Sequence, residues 1–250
     1  MNDELSPERL SRDRASPILH SVLVVVAAFV VGIVIAILGG SLVLGTELAS
    51  GQESPGFFLT TSVLQFVGFG LVVLAYLEWR SKWDLINVSW PSLRDVAWVV
   101  LGFVGLFAAV YVIGVIITLL GQQTAENAVV TEGQQNPVLF LYMIPVTIFF
   151  VAPAEEFLFR GVVQGLFRRA YGSIVAVLAA SGMFGIVHWI ALSGGGKVTY
   201  IAVAAVLGLA LGAVYERTKN ILVPIAVHGL YNALLFSIQW LVATGQVPTG

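Results

Sequence analysis

The stretch VLFLYMIPVTIFFVAPAEEFLFRGVVQGLF, residues 138–167, decides how the chain is read. Residues 138–151 are apolar, and 157–167 are mostly apolar again. Between them stand Pro153, Ala154, Glu155 and Glu156, and Arg160 follows one turn later. About 20 apolar residues suffice to span a bilayer as a helix, so this is a membrane span with two carboxylates and a guanidinium near its middle. A charge at the bilayer centre costs about 2.5–3.5 kcal/mol on insertion scales and more in simulations, which drives such residues toward a bundle interior or a wet cavity. Pro153 leaves two structures open, one long kinked helix or two shorter pieces.

The rest of the chain supports the membrane reading. Its 250 residues are 58% hydrophobic and 10% charged, where soluble domains run near 45–50% apolar and 25% charged. Apolar runs predict helices near 18–44, 56–77, 96–120, 137–167, 173–192, 198–215 and 221–242. The fold class is therefore an all-α, polytopic membrane helix bundle with seven spans, or eight if the fourth is broken. The first run exceeds the roughly 7–15 residues of a signal-peptide core and no A-x-A-like site follows it, so it reads as a retained helix. Residues 1–16 are polar and read as a flexible N-terminus ahead of a single domain, 17–250. Gly161-x-x-x-Gly165 and Gly208-x-x-x-Gly212 provide small surfaces for close packing.

Charge sets the expected orientation, since basic residues concentrate in cytoplasmic loops. Arg9, Arg12 and Arg14 precede the first span; Arg80, Lys82 and Arg94 join the second to the third. Arg168 and Arg169 join the fourth to the fifth, and Arg217 and Lys219 the sixth to the seventh. The alternate loops carry Glu47, Glu53, Glu126 and Glu132, with Lys197 as their single basic residue. A multi-pass protein of the cell membrane follows, with its N-terminus cytoplasmic and its C-terminus outside. The net charge of −2 and the absence of a dense basic run give no reason to expect nucleic acid. With no cysteine there is no thiol nucleophile, thiolate metal site or disulfide.

Three further polar residues lie deep in apolar runs: His188, His228 and Asn232. At 1.5 Å per residue, Glu155 lies about 18–20 Å from the Arg168 end of its span, His228 and Asn232 about 10–18 Å from theirs, and His188 about 22 Å. All fall in one depth band of a roughly 30 Å core, so one site is geometrically possible. Residues four apart share a helix face, which pairs Glu156 with Arg160, Phe184 with His188, and His228 with Asn232. Glu156 and Arg160 read as an internal ion pair. Glu155 points about 100° away on an ideal helix, so the two carboxylates are free to do different work. His20, near the end of the first span, reads as a packing residue.

The residue types restrict the chemistry. No G-x-S-x-G elbow and no H-E-x-x-H zinc helix is present. A desolvated carboxylate is suited to general-base work, and His188 supplies a second proton-transfer group. Asn232 and His228 can donate to a developing oxyanion, or they can simply bridge helices. Zinc on a Glu/His/His set is a variant that spacing leaves open.

Glu155-Glu156-Phe157-Leu158-Phe159-Arg160 fits E-E-x-x-x-R, Phe184 to His188 fits F-x-x-x-H, and His228 to Asn232 fits H-x-x-x-N. In that order, on successive membrane segments over roughly 137–236, they resemble the CPBP family of intramembrane glutamate proteases, which includes type II CAAX-prenyl endopeptidases and bacteriocin-processing or self-immunity proteins. The resemblance implies that Glu155 activates water with help from His188, that His228 and Asn232 form the oxyanion hole, and that Glu156 and Arg160 support the site. It implies no obligate metal or other cofactor. The implied substrate is a membrane-associated protein or peptide, with or without a lipid; in the eukaryotic branch a C-terminal tripeptide is removed from a prenylated cysteine. Two other readings use the same residues: a proton-coupled transporter with Glu155, His188 and His228 as relay, and a non-catalytic immunity or interaction protein. No inverted repeat supports the first, and the intact motif set disfavours the second.

Overall fold

The computed structural model describes residues 7–247, with side chains from residue 16 onward. Residues 1–6 of the expected flexible N-terminus lie outside the described residues. The chain runs α1 (Pro7–Val43), α2 (Pro55–Arg80), α3 (Leu93–Leu119), β1 (Glu126–Asn127), α4 (Ala128–Gln135), α5 (Val138–Tyr171), α6 (Ser173–Val187), a 3₁₀ turn (His188–Ala191), β2 (Leu192–Ser193), α7 (Lys197–Thr218) and α8 (Leu222–Ala243). Among the described residues seven helices are long and apolar enough to cross a membrane: α5 counts once, and α4 is too short. Local chemistry sets several starts. Ser54 accepts from the Phe57 N–H with Pro55 in the first turn, Ser92 and Asp95 form a reciprocal capping box, and Asn127 caps α4 through the Val129 N–H. Each satisfies a donor that a helix start otherwise leaves unpaired.

The fourth span is continuous, which settles the count at seven rather than eight. Pro153 has no N–H to give, and an ordinary helix would leave a carbonyl unpaired in an apolar medium. The backbone widens instead. Residues Thr147–Val151 and Phe157–Val163 form π-helical turns on either side of Ala152–Glu156. The Ala152 N–H reaches the Thr147 carbonyl and the Gln164 N–H the Phe159 carbonyl, both one residue longer than an α-helical bond. Such π turns are frequent at functional sites, and here they flank the two glutamates.

α5 is the axis of the bundle and α3 its most peripheral helix: 39% of the most apolar stretch of α5 is buried, against 6% for α3. Leu158, Phe159, Val162 and Val163 of α5 pack with Val24, Phe69, Val73, Ala176, Ala180 and Phe184 in the largest core cluster. The two glycine motifs serve different partners. Gly208 admits Ser181 and Phe184 of α6, as expected for helix packing. Gly161 and Gly165 admit a loop, with Ile86 and Leu85 standing where their side chains would be. That loop carries a 3₁₀ turn (Trp83–Leu85) and holds Leu85 fully buried. At the opposite end β1 pairs with β2, Glu126 against Ser193 and Asn127 against Leu192, and so straps α4 to the turn that follows His188.

Candidate active site

Glu156 and Arg160 are both fully buried, which is tolerable only because each meets opposite charge. Arg160 Nε stands 3.2 Å from Glu156 Oε2, and Arg160 Nη2 donates to the Gly208 carbonyl of α7 at 3.1 Å. The other carboxylate oxygen, Glu156 Oε1, lies 2.9 Å from His228 Nδ1 of α8. An arginine-paired carboxylate accepts, so the Nδ1 proton is directed to Glu156 and Nε2 is turned to the opposite side of the ring. Glu156 thus carries α8 on its free oxygen and Arg160 on the other.

Glu155 faces a different environment. Its side chain is 14% exposed, and Oε2 lies 3.7 Å from His228 Nε2, beyond hydrogen-bond distance. Its carboxylate accepts no hydrogen bond from another described residue. The two adjacent carboxylates are therefore chemically separated: one locked in an ion pair, the other partly exposed on the Nε2 side of His228.

His188 sits where α6 tightens into the 3₁₀ turn. Its Nδ1 donates to the Phe184 carbonyl at 2.6 Å; a carbonyl can only accept, which fixes Nδ1 as the protonated nitrogen and leaves Nε2 as the basic one. The Phe184 ring joins the site together. Its centroid is 4.6 Å from the His188 ring and 6.0 Å from the His228 ring, edge to face in both cases, and the Arg160 guanidinium lies 4.6 Å from it. On its other side His188 lies 6.2 Å from Tyr200 of α7, whose hydroxyl accepts from Asn127 Nδ2 at 3.4 Å. The β1–β2 strap therefore reaches His188 through Asn127 and Tyr200.

Asn232 Nδ2 donates to Thr147 Oγ1 at 3.2 Å, across to the first π turn of α5. One of its two amide protons is used there, and the other has no acceptor among the described residues. Of the six residues singled out in the sequence, Glu155, Glu156, Arg160 and His228 form one contact network. His188 joins it through Phe184, and Asn232 through Thr147 on the same helix as the glutamates. Among the described residues no hydrogen bond or ion pair links His188 or Asn232 to Glu155. His20 pairs with the Tyr76 hydroxyl at 3.0 Å, a contact between α1 and α2.

The sequence reading gave no role to Thr147, Tyr200 or Gln164, and used Phe184 only as a motif letter. Gln164 had a signal: Glu156, Arg160, Gln164 and Arg168 recur every four residues, and Gln164 is fully buried. Among the described residues no group of three or more His, Asp or Glu side chains is disposed to hold a metal ion. The Glu155 carboxylate and the His188 Nε2 are both left as acceptors, the group types that activating a water requires.

Comparison with known proteins finds membrane peptidases. Residues 137–234 match the family described as Rce1-like, type II CAAX prenyl endopeptidase. Over 192 residues, 72% of each chain, the sequence is 27% identical to the membrane-embedded CAAX protease MroQ of Staphylococcus aureus (strain USA300). It is 26% identical over 188 residues, 71% of this chain and 70% of the other, to YdiL of Bacillus subtilis (strain 168), named as a membrane peptidase. No solved structure matches the chain significantly. The matched segment contains all three motifs, and these similarities support a multi-pass membrane peptidase.

Proposed function

We propose that the chain is an intramembrane endopeptidase that hydrolyses a peptide bond of a membrane-associated substrate, with Glu155 as general base. The observation that carries this reading is the split between neighbours: Glu156 is sealed between Arg160 and His228, while Glu155 keeps a partly exposed carboxylate with no hydrogen-bond partner among the described residues. A structural carboxylate is satisfied; a catalytic one is left available to substrate and water.

In this reading the lytic water donates one hydrogen to Glu155 and the other to His188 Nε2, which aims an oxygen lone pair at the scissile carbonyl. Glu155 takes the proton as the C–O bond forms. The oxyanion is met by the unused Asn232 N–H and by His228, whose Nδ1–H stays on Glu156. Collapse breaks the C–N bond, and Glu155 returns its proton to the leaving nitrogen. The resemblance to CAAX proteases makes a lipidated protein terminus the first substrate to try. The distribution of basic residues supports an N-terminus in the cytoplasm.

The test is hydrolysis of lipidated and unlipidated peptides by purified protein in detergent. Cleavage is expected to fall by a factor of about 10²–10⁴ in Glu155→Gln and His188→Ala with unchanged melting temperature, and to survive stringent chelation. Unaltered cleavage in Glu155→Gln would sink the proposal. Proton-driven uptake into proteoliposomes without any cleavage product would favour a transporter.

A further inference from the structure

Four hydrogen bonds tie α5 to α7, and three of them join residues 48 positions apart. Arg160 Nη2 donates to the Gly208 carbonyl at 3.1 Å, Gln164 Nε2 to the Gly212 carbonyl at 3.2 Å, and Arg168 Nη1 to Glu216 Oε1 at 3.3 Å. A constant offset means that the two helices run in the same direction and in register, with one rung per turn of about 6 Å. Gln164 Nε2 also reaches Glu216 Oε1 at 2.8 Å and so couples the second rung to the third. Glu216 is fastened in turn by Ser173 Oγ at 3.0 Å and by Lys219. The series is a polar zipper that starts at the basic end of the bundle and stops at the guanidinium that holds Glu156.

Its chemistry explains its sequence. A helical carbonyl has a second lone pair, but a side chain on the same residue obstructs the approach. At Gly212 a Cβ would stand 3.0 Å from Gln164 Oε1, and at Gly208 one would stand 3.2 Å from the Ser181 backbone. Glycine at 212 leaves room for the Gln164 amide beside the carbonyl it uses, and glycine at 208 admits Ser181 of α6 while its carbonyl takes Arg160. Glutamine at 164 supplies two N–H donors without adding charge, which is what a fully buried position between a carbonyl and a carboxylate requires.

We propose that Gln164 and Glu216 are positioning residues of the site. They fix the register of α5 against α7, so that Arg160 remains under Gly208 and Glu156 holds His228 Nδ1. This proposal rests on the peptidase reading for its activity readout, but the geometry it invokes is measurable without turnover. The chain has three histidines, so ¹⁵N-histidine spectra of the full-length protein in nanodiscs resolve His228, assigned by its loss in His228→Gln.

The decisive variants are Gln164→Met, close in size and apolar, and the pair Glu216→Leu and Glu216→Gln, of which the second keeps an acceptor for Gln164. Val73→Ala, a buried substitution on α2 in the largest core cluster, controls for general loss of stability. Gln164→Met and Glu216→Leu are expected to shift the His228 Nδ1 resonance and to lower kcat about tenfold with KM unchanged. Glu216→Gln should lie close to wild type, and Val73→Ala should lower the melting temperature without moving His228. If Gln164→Met behaves like Val73→Ala, with the His228 signal in place, the zipper is only packing and the proposal falls. If the wild-type chain hydrolyses no peptide, the proteolytic reading fails on its own, and the His228 resonance alone decides the zipper.

Discussion

At the scale of single residues the neighbouring glutamates are a natural experiment. Glu156 has both oxygens committed and no exposure, so removing its arginine strands a buried charge; breaking one side of such a pair costs about 3–5 kcal/mol. Arg160→Met is therefore expected to lower unfolding free energy by about that amount, read by denaturation in a defined detergent. Glu155→Gln should leave stability within about 0.5 kcal/mol, because its carboxylate accepts no hydrogen bond from the described residues. Equal destabilisation of the two variants would contradict the division of labour. That division was half legible in the sequence: the four-residue spacing pairs Glu156 with Arg160, and the 100° offset separates Glu155. The direction of each imidazole was not legible. His228 turns Nδ1 to Glu156 of another helix, a choice that depends on which helix packs alongside, and His188 turns Nδ1 to the carbonyl of Phe184 four residues back on its own helix, a choice of side-chain rotamer. Spacing along one helix carries no such information.

At the scale of elements the π turns of α5 are the feature that composition could not reveal. Pro153 announces a missing donor, and either a break or a widened turn answers it; the chain adopts the second. The widened turns alter the angular step between residues, and so decide where Glu155 and Glu156 point relative to Thr147 and Arg160. Pro153→Ala restores an N–H and allows ordinary α-helical bonds through this region. The variant is expected to fold with unchanged or higher melting temperature and to lose activity, by about 10²-fold in kcat if the carboxylate moves by 1 Å, with KM little altered. Full activity in Pro153→Ala would mean that the wide turns only accommodate proline. The same scale explains the loop against Gly161 and Gly165. A small-x-x-x-small pattern specifies a shallow surface and not its occupant, so the sequence could foresee close packing but not that Leu85 and Ile86 provide it.

At the scale of the whole molecule the seven spans follow closely from apolar runs, because a bilayer leaves few alternatives for a 20-residue apolar segment. Apart from the buried Arg160, basic residues mark the two ends of the bundle. Arg168, Arg169 and Lys219 gather at one end of the bundle in ion pairs with Asp84 and Glu216, whereas Lys197 starts α7 at the other end, its ammonium 5.1 Å from the Trp189 ring. If the first end is cytoplasmic, the 81–92 loop is inside and the connection after α3 is outside. The chain has no cysteine, so single cysteines report their side without background. Val88→Cys, in the exposed part of the 81–92 loop, should react with a membrane-impermeant maleimide only after cells are permeabilised. Gln122→Cys, exposed beyond the end of α3, should react in intact cells. Reversed labelling would invert the molecule, place the Glu216 end of the zipper outside, and require the substrate terminus to be sought on the other side of the membrane.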